Sequence, residues 1–273
     1  MFIRKHFSSI LLALVFLTGL SLLLYPSVSE RLSARSQSRK VEIYADMISH
    51  MREEEYRQIL LRAKEYNEQL ARTGIRWRMS DRDREEYRSL LRLDGTSIMG
   101  YIEIPRISTV LPICHGTDEE ALLENICHLE GTSLPVGGES SHCILTGHRG
   151  LPGARLFTDL DRLKEGDIFT LTVLDRVLVY QVDLIRIVRP DDLGGLEIYE
   201  GRDLCTLVTC TPYGINTHRL LVRGRRIEGD SVPQEPPARE KGPFFLPAAA
   251  VCAALLLIIV LSGRRAVRKG TGK

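Results

Sequence analysis

Three side chains in the second half of the chain have types and settings suited to acyl transfer. The segment Thr206-Leu207-Val208-Thr209-Cys210-Thr211-Pro212 ends an apolar run in a cysteine, with a proline-marked turn beyond it. In Thr146-Gly147-His148-Arg149-Gly150 a histidine closes another apolar run, with glycines close on either side. The segment Asn216-Thr217-His218-Arg219-Leu220-Leu221-Val222 opens a third run with an arginine. A thiol of pKa ~8.5 is a weak nucleophile until an imidazolium or guanidinium lies beside it. An imidazole of pKa ~6.5 can donate a proton to a leaving amine. A guanidinium supplies fixed positive charge where an attacked carbonyl oxygen becomes negative. With both groups untuned, on the order of one thiol–imidazole pair in a hundred carries both charges near neutrality, so such a site needs a tuned ion pair or turns over slowly. Taken singly, each residue has a plainer reading: a packed thiol, a structural histidine, a solvated arginine. The combination carries the weight.

These groups need a scaffold that presents strand ends. From Ile98 onward the chain is made of short runs rich in β-branched residues, among them Met99–Ile104, Thr109–Ile113, Cys143–Thr146, Ile168–Val173, Val177–Val188, Leu204–Thr209 and Leu220–Ile227. Gly and Pro punctuate them, as at Pro105, Gly116, Pro135, Gly150, Gly166 and Gly214. Many short strands at close spacing predict a mainly β sandwich or barrel, not alternating β-α units. Short helices are expected at Asp118–Asn125 and Ala154–Leu163. Cys210 and Arg219 are joined by a short loop, so adjacent antiparallel strands would bring them side by side. Upstream, Ser36–Arg72 has no Gly or Pro, and Ile43, Met47, Met51, Ile59, Leu60, Ala63 and Leu70 recur at helical spacing. This predicts an amphipathic helix or pair of helices packed on the domain behind it. Helical spacing resumes at Glu85–Leu93, after a break around the single tryptophan, Trp77.

The ends of the chain speak to compartment. Phe7–Tyr25 is an almost unbroken apolar run behind Arg4 and Lys5, and Phe244–Leu261 is a second run followed by Arg264, Arg265, Arg268 and Lys269. Each is about as long as a hydrocarbon core of ~30 Å requires. The first run exceeds the apolar core of about 7–15 residues usual in a cleaved signal peptide, and Tyr25-Pro26-Ser27 is a poor cleavage site. Basic residues flank the outer side of both runs, so both termini are expected in the cytoplasm and everything between them outside. The expected organisation is a cytoplasmic start with an N-terminal anchor (residues 1–30), an extracellular helical region (31–97), a catalytic β-barrel (98–229) and a linker (230–243). A second span (244–262) and a basic tail (263–273) complete it. The net charge of +2 over 273 residues, with acidic and basic residues interspersed, speaks against a nucleic-acid partner. Outside the cell cysteines can oxidise. The extracellular part holds an odd number of them, Cys114, Cys127, Cys143, Cys205 and Cys210, which flags one reactive thiol. The other four are expected to be reduced and packed as small hydrophobes.

From about Met99 to Ile227 the chain closely resembles the sortases, in particular the pilin-polymerising class C of Gram-positive bacteria. The resemblance lies in His115–Thr117, His128–Pro135, Leu145-Thr-Gly-His-Arg-Gly-Leu-Pro152, Leu156–Asp161 and Thr206-Leu-Val-Thr-Cys-Thr-Pro-Tyr-Gly-Ile-Asn-Thr-His-Arg-Leu220. The two apolar runs and the helical N-terminal region are similar to class C as well. The resemblance implies a sortase β-barrel of about eight strands, with Cys210 as nucleophile, His148 as general acid and Arg219 as the arginine that holds substrate and steadies the oxyanion. It implies cleavage of a Leu-Pro-X-Thr-Gly sorting signal between Thr and Gly, through a thioacyl-enzyme. Transfer to a pilin lysine would follow or, in housekeeping enzymes, to the amine of a cell-wall precursor. No metal or organic cofactor is implied.

Class C enzymes often carry a lid with an Asp-Pro-aromatic motif. The corresponding place here reads Ile75-Arg76-Trp77, which makes Trp77 the candidate lid residue but leaves out the acid that would pair with Arg219. Asp81 and Asp83 lie nearby. Readings outside this class fare worse. The pairs Cys114-His115, Cys127-His128 and His142-Cys143 suggest an extracellular metal-binding module, but neighbours on a strand point to opposite faces and cannot share one ion. A papain-like hydrolase has its cysteine before its histidine, the reverse of the order here.

Overall fold

The computed structural model describes residues 2–93 and 95–227, with side chains from residue 11 onward. Among the described residues, those from Pro26 to Ile227 belong to one compact unit and those before Pro26 to a second. The expected linker, second span and basic tail lie outside the described residues.

Helix α1 runs Phe2–Ser49 without interruption, with Pro26 inside it. Its stretch Leu11–Ser49 is long and apolar enough to cross a membrane. Helix α2, Glu53–Thr73, opens with Glu53, Glu54 and Glu55 at the positive end of its dipole and stops at Gly74, whose φ of 81° lies in the region glycine favours. It buries Leu60, Ala63, Tyr66, Asn67 and Leu70, one face at helical spacing. Asn67 donates to the Leu134 carbonyl at 3.0 Å and accepts from the Leu134 amide at 2.7 Å, so the helix is bonded to the barrel and not only packed on it. In α1, Tyr44 does the same, donating to the Met99 carbonyl and accepting from Leu174 N. Helix α3, Asp81–Ser89, starts at a Ser80–Asp83 capping box and buries Tyr87.

The strands are β1 (Ile98–Ile104), β2 (Thr109–His115), β3 (Ile126–His128), β4 (Ser141–Thr146), β5 (Ile168–Val173), β6 (Arg176–Val188), β7 (Asp203–Thr211) and β8 (His218–Arg226). They close into a barrel in the order β1-β2-β3-β4-β7-β8-β6-β5, as the expected barrel of about eight strands requires. The pairs β2–β3 and β4–β7 are parallel; the others are antiparallel. Met99, Ile102, Ile113, Leu145, Phe169, Leu171, Tyr180, Leu207 and Val222 join the side chains of α2 and α3 in the main apolar core.

Two expectations fail. The short helix α4 forms at Glu119–Glu124, but Ala154–Leu163 is a loop with a single 3-10 turn at Leu160–Arg162. Leu156 takes a positive φ there, which an α-helix cannot accommodate. The cysteines differ as well: Cys114 and Cys127 form a disulfide instead of remaining reduced. They are register partners on β2 and β3 with Cα atoms 4.5 Å apart. Such proximity lets two thiols pair in an oxidising compartment. Cys143, Cys205 and Cys210 are the free thiols among the described residues.

Candidate active site

Strand β7 delivers Cys210 one residue before its end, and the turn beyond returns as β8. Cys210 and Arg219 are direct register partners across that antiparallel pair. Opposed residues of this kind have Cβ atoms about 4.5–5.5 Å apart on one face of the sheet. The guanidinium is steadied by the hairpin itself: Arg219 Nη1 donates to the Asn216 carbonyl at 3.3 Å and to the His218 carbonyl at 3.1 Å. Among the described residues, no carboxylate pairs with it. Asp83 is engaged by Ser80 and Arg76, and Asp81 by Arg84, so neither substitutes for the missing lid acid.

His148 arrives from the other neighbour of β7. Strand β4 runs parallel to β7 in a register that ends Leu145↔Leu207, Thr146↔Val208. The pairing extends one residue further, because Gly147 N donates to the Val208 carbonyl at 3.1 Å and the Thr209 hydroxyl donates to the Gly147 carbonyl at 2.7 Å. His148 is the next residue, and the same register carried one step further would set it level with Cys210. Gly147 must be glycine: a Cβ there would come within 2.9 Å of the Phe157 ring and 2.8 Å of Ile126. Phe157 N in turn donates to the His148 carbonyl and folds the following loop back. Cys210, His148 and Arg219 are all partly exposed.

Beside Arg219 lies a cleft of about 400 Å³ on the outer wall of the barrel. Its floor is Ile144, Val208 and Leu221 of β4, β7 and β8, and the β6–β7 connection supplies Leu193 and Leu196. Trp77, 42 % exposed, lines the same cleft as Arg219. Its segment is held at the preceding residue, where Arg76 N donates to the Gly131 carbonyl at 2.9 Å.

The connection that walls this cleft is anchored by His142, which the sequence offered only as a candidate metal donor. His142 is fully buried, with Nδ1 2.7 Å from the Glu197 carbonyl and Nε2 2.7 Å from Thr206 Oγ1. A carbonyl only accepts, so Nδ1 carries the proton and Nε2 accepts from the threonine. Burial pushes the pKa of this imidazole down to about 4, with the Arg223 charge acting in the same direction, and the ring is neutral. Arg223 and Arg202 both pair with Asp183, and both lie over the Tyr199 ring. Of the metal-module donors, Cys114 and Cys127 hold each other, His115, His128 and His142 hydrogen-bond to protein groups, and Cys143 is a buried free thiol.

A partly exposed thiol opposite a guanidinium, with a histidine one residue beyond the strand bonded to its other side, is a set suited to acyl transfer from a peptide carbonyl. Similarity to known proteins gives the family. The family model described as "Sortase domain" matches residues 102–227. The crystal structure of sortase C1 from Streptococcus agalactiae is 55% identical, superposes with a TM-score of 0.69, and is covered over its full length by 70% of this chain. This chain is a class C sortase. A second solved relative of the sortase, sortase C of Clostridium perfringens with the C-terminal cell wall sorting motif, is 41% identical with a TM-score of 0.62, covering 70% of this chain and 100% of its own. Among curated proteins, sortase D of Bacillus subtilis is 28% identical over 131 residues and sortase A of Bacillus anthracis 31% over 132. These matches span 47% and 48% of this sortase but only 63% and 61% of those relatives.

Proposed function

We propose that this sortase is a cysteine transpeptidase acting on a Leu-Pro-X-Thr-Gly type signal and joining pilin subunits. The Cys210 sulfur attacks the Thr carbonyl carbon. The carbonyl oxygen gains negative charge beside the Arg219 guanidinium, which also holds the substrate backbone. As the C–N bond breaks, His148 gives its proton to the departing Gly amine, leaving a thioester on Cys210. A lysine amine of another subunit then attacks the thioester, His148 takes up the amine proton, and an isopeptide bond forms as the C–S bond breaks and Cys210 leaves as the thiolate. The chemistry needs no cofactor. The observation that carries this reading is the register: Cys210 opposite Arg219 on one side and the Gly147 bonds to Val208 and Thr209 on the other. The apolar cleft beside Arg219 suits the Leu and Pro of such a signal, and a relative 41% identical was solved with its sorting motif.

The test is to mix the purified protein with a pilin carrying a Leu-Pro-X-Thr-Gly tail. Covalent ladders are expected that disappear in Cys210→Ala; ladders that persist in that variant refute the mechanism. Adding a cell-wall precursor amine separates the housekeeping alternative, which predicts a monomeric adduct in place of ladders.

The proposed setting is the cell membrane, with anchors within residues 1–30 and 244–262, both termini cytoplasmic and the barrel outside. The apolar N-terminal helix supports it, as does a disulfide between Cys114 and Cys127. Trp77 is proposed as a lid over the cleft, without the acidic partner for Arg219. Protease protection in intact cells tests the topology: a barrel protected from added protease would reverse it.

A further inference from the structure

The turn carrying His148 and the strand end carrying Cys210 are joined on both sides of the pair. Before it, Gly147 bonds to Val208 and Thr209. After it, Arg149 Nη1 donates to Thr211 Oγ1 at 3.0 Å, and Arg149 Nη2 pairs with Asp161. Each end of this second link is the immediate neighbour of a reacting residue: Arg149 follows His148 and Thr211 follows Cys210. One residue further, Gly150 packs against the Tyr213 ring so closely that a Cβ would sit 2.9 Å from it.

Arg149 is an expensive choice for a merely structural link. Its side chain is 9 % exposed, and its Nε is buried with no hydrogen-bond partner among the described residues. Burying a guanidinium this way costs desolvation that one carboxylate, itself about half exposed, does not fully return. An apolar residue would fill the space at lower cost, but it could not hold two groups at once. The planar fork can, with one nitrogen on the strand that carries the thiol and the other on the loop that follows the histidine.

We propose that Arg149, held in place by Asp161, is a positioning residue that sets the His148 imidazole against the Cys210 sulfur. It touches neither substrate nor the reacting atoms; it acts through its neighbours on the chain. The inference rests on the catalytic reading of Cys210 and His148 given above. Misplacement by even ~1 Å at such a pair can cost on the order of a hundredfold in rate.

The test is a double-mutant cycle in the full-length protein, read at Cys210 itself. The rate of iodoacetamide alkylation of Cys210 is followed by peptide mapping from about pH 5 to about pH 9, the range in which imidazole and thiol titrate. In the parent, His148→Ala is expected to change that profile. In an Arg149→Gln background the same replacement is expected to have an effect smaller by roughly threefold or more, the sign of lost coupling. In Arg149→Gln, and less severely in Arg149→Lys and Asp161→Asn, kcat for transfer from a Leu-Pro-X-Thr-Gly peptide is expected to fall roughly tenfold to a hundredfold with KM within about twofold. Asp161→Asn keeps the question answerable where Arg149→Gln does not fold. A His148→Ala effect of equal size in both backgrounds, including none in either, overturns the assignment. So does kcat within about twofold of the parent in folded Arg149→Gln and Asp161→Asn. Transfer persisting in Cys210→Ala would instead remove the catalytic reading, and this inference with it.

Discussion

The Thr209 hydroxyl donates to the Gly147 carbonyl at 2.7 Å, so the residue before the candidate nucleophile is bonded to the residue before the candidate acid. Thr209→Val keeps the shape and deletes this bond. The expected result is a stability loss of about 1–2 kcal/mol and a kcat lower by roughly tenfold. Chemical denaturation and steady-state transfer assays read the two effects separately. Unchanged turnover in the folded variant would mean that this bond does not position the pair.

Trp77 lines the cleft that Arg219 borders, and its segment is held at Arg76. As a lid it should slow access to the thiol. Trp77→Ala is expected to speed modification of Cys210 by a bulky thiol reagent several-fold while leaving the melting temperature nearly unchanged. An unaltered rate would end the lid interpretation.

His142 makes stability depend on pH in one direction. Its ring is neutral in the fold, with a pKa pushed down to about 4, whereas in the unfolded chain it titrates near ~6.5. The unfolded state therefore binds more protons between these values, and stability rises with pH across them. The contribution is complete above ~6.5 and is lost as pH falls toward about 4, about 3 kcal/mol over the whole window. The nearby charges of Arg223, Glu197 and Asp183 move the midpoint without changing the sign. Urea midpoints at several pH values should show this slope in the parent and a shallower one in His142→Gln; parallel curves would contradict it.

The Cys114–Cys127 disulfide closes a short loop of sequence separation 13. Chain-entropy arithmetic for a loop of that size gives about 3 kcal/mol. Cys114→Ser/Cys127→Ser is expected to unfold at correspondingly lower denaturant. In the denatured parent without reductant, alkylation among the described residues should mark Cys143, Cys205 and Cys210 but spare the bonded pair. Labelling of Cys114 or Cys127 under those conditions would show the bond to be absent.

How much could be read in advance follows from the range of each signal. Cys210, His148 and Arg219 sit in contiguous motifs at strand ends, and the nine-residue step from Cys210 to Arg219 implies a hairpin; the register makes them direct partners. Strands β5 to β8 announce themselves through β-branched runs long enough to stand out. Strand β3 is only Ile126–His128, too short for alternation to register. The stretch from Ala154 to Leu163 carries Leu156, Leu160 and Leu163 at helical spacing, yet those side chains enter the core from a loop. The links Arg149–Asp161 and His142–Glu197 join residues 12 and 55 apart, and nothing local marks either partner. The disulfide was hidden for a related reason: pairing depends on which strands become neighbours, and the parallel contact of β2 with β3 is a product of barrel closure.

The two halves of the site differ in how far along the chain their partners lie. Thr211 pairs with His218 across a tight hairpin, whereas Thr209 and Gly147 are 62 residues apart. Closing the longer loop costs more entropy, about 0.6 kcal/mol for each doubling. On the proposed roles, a chain emerging from the export machinery would assemble thiol and guanidinium early and gain its proton donor only when β4 docks beside β7. An incompletely wrapped enzyme would thus be chemically mute, which couples maturation of the barrel to the onset of catalysis.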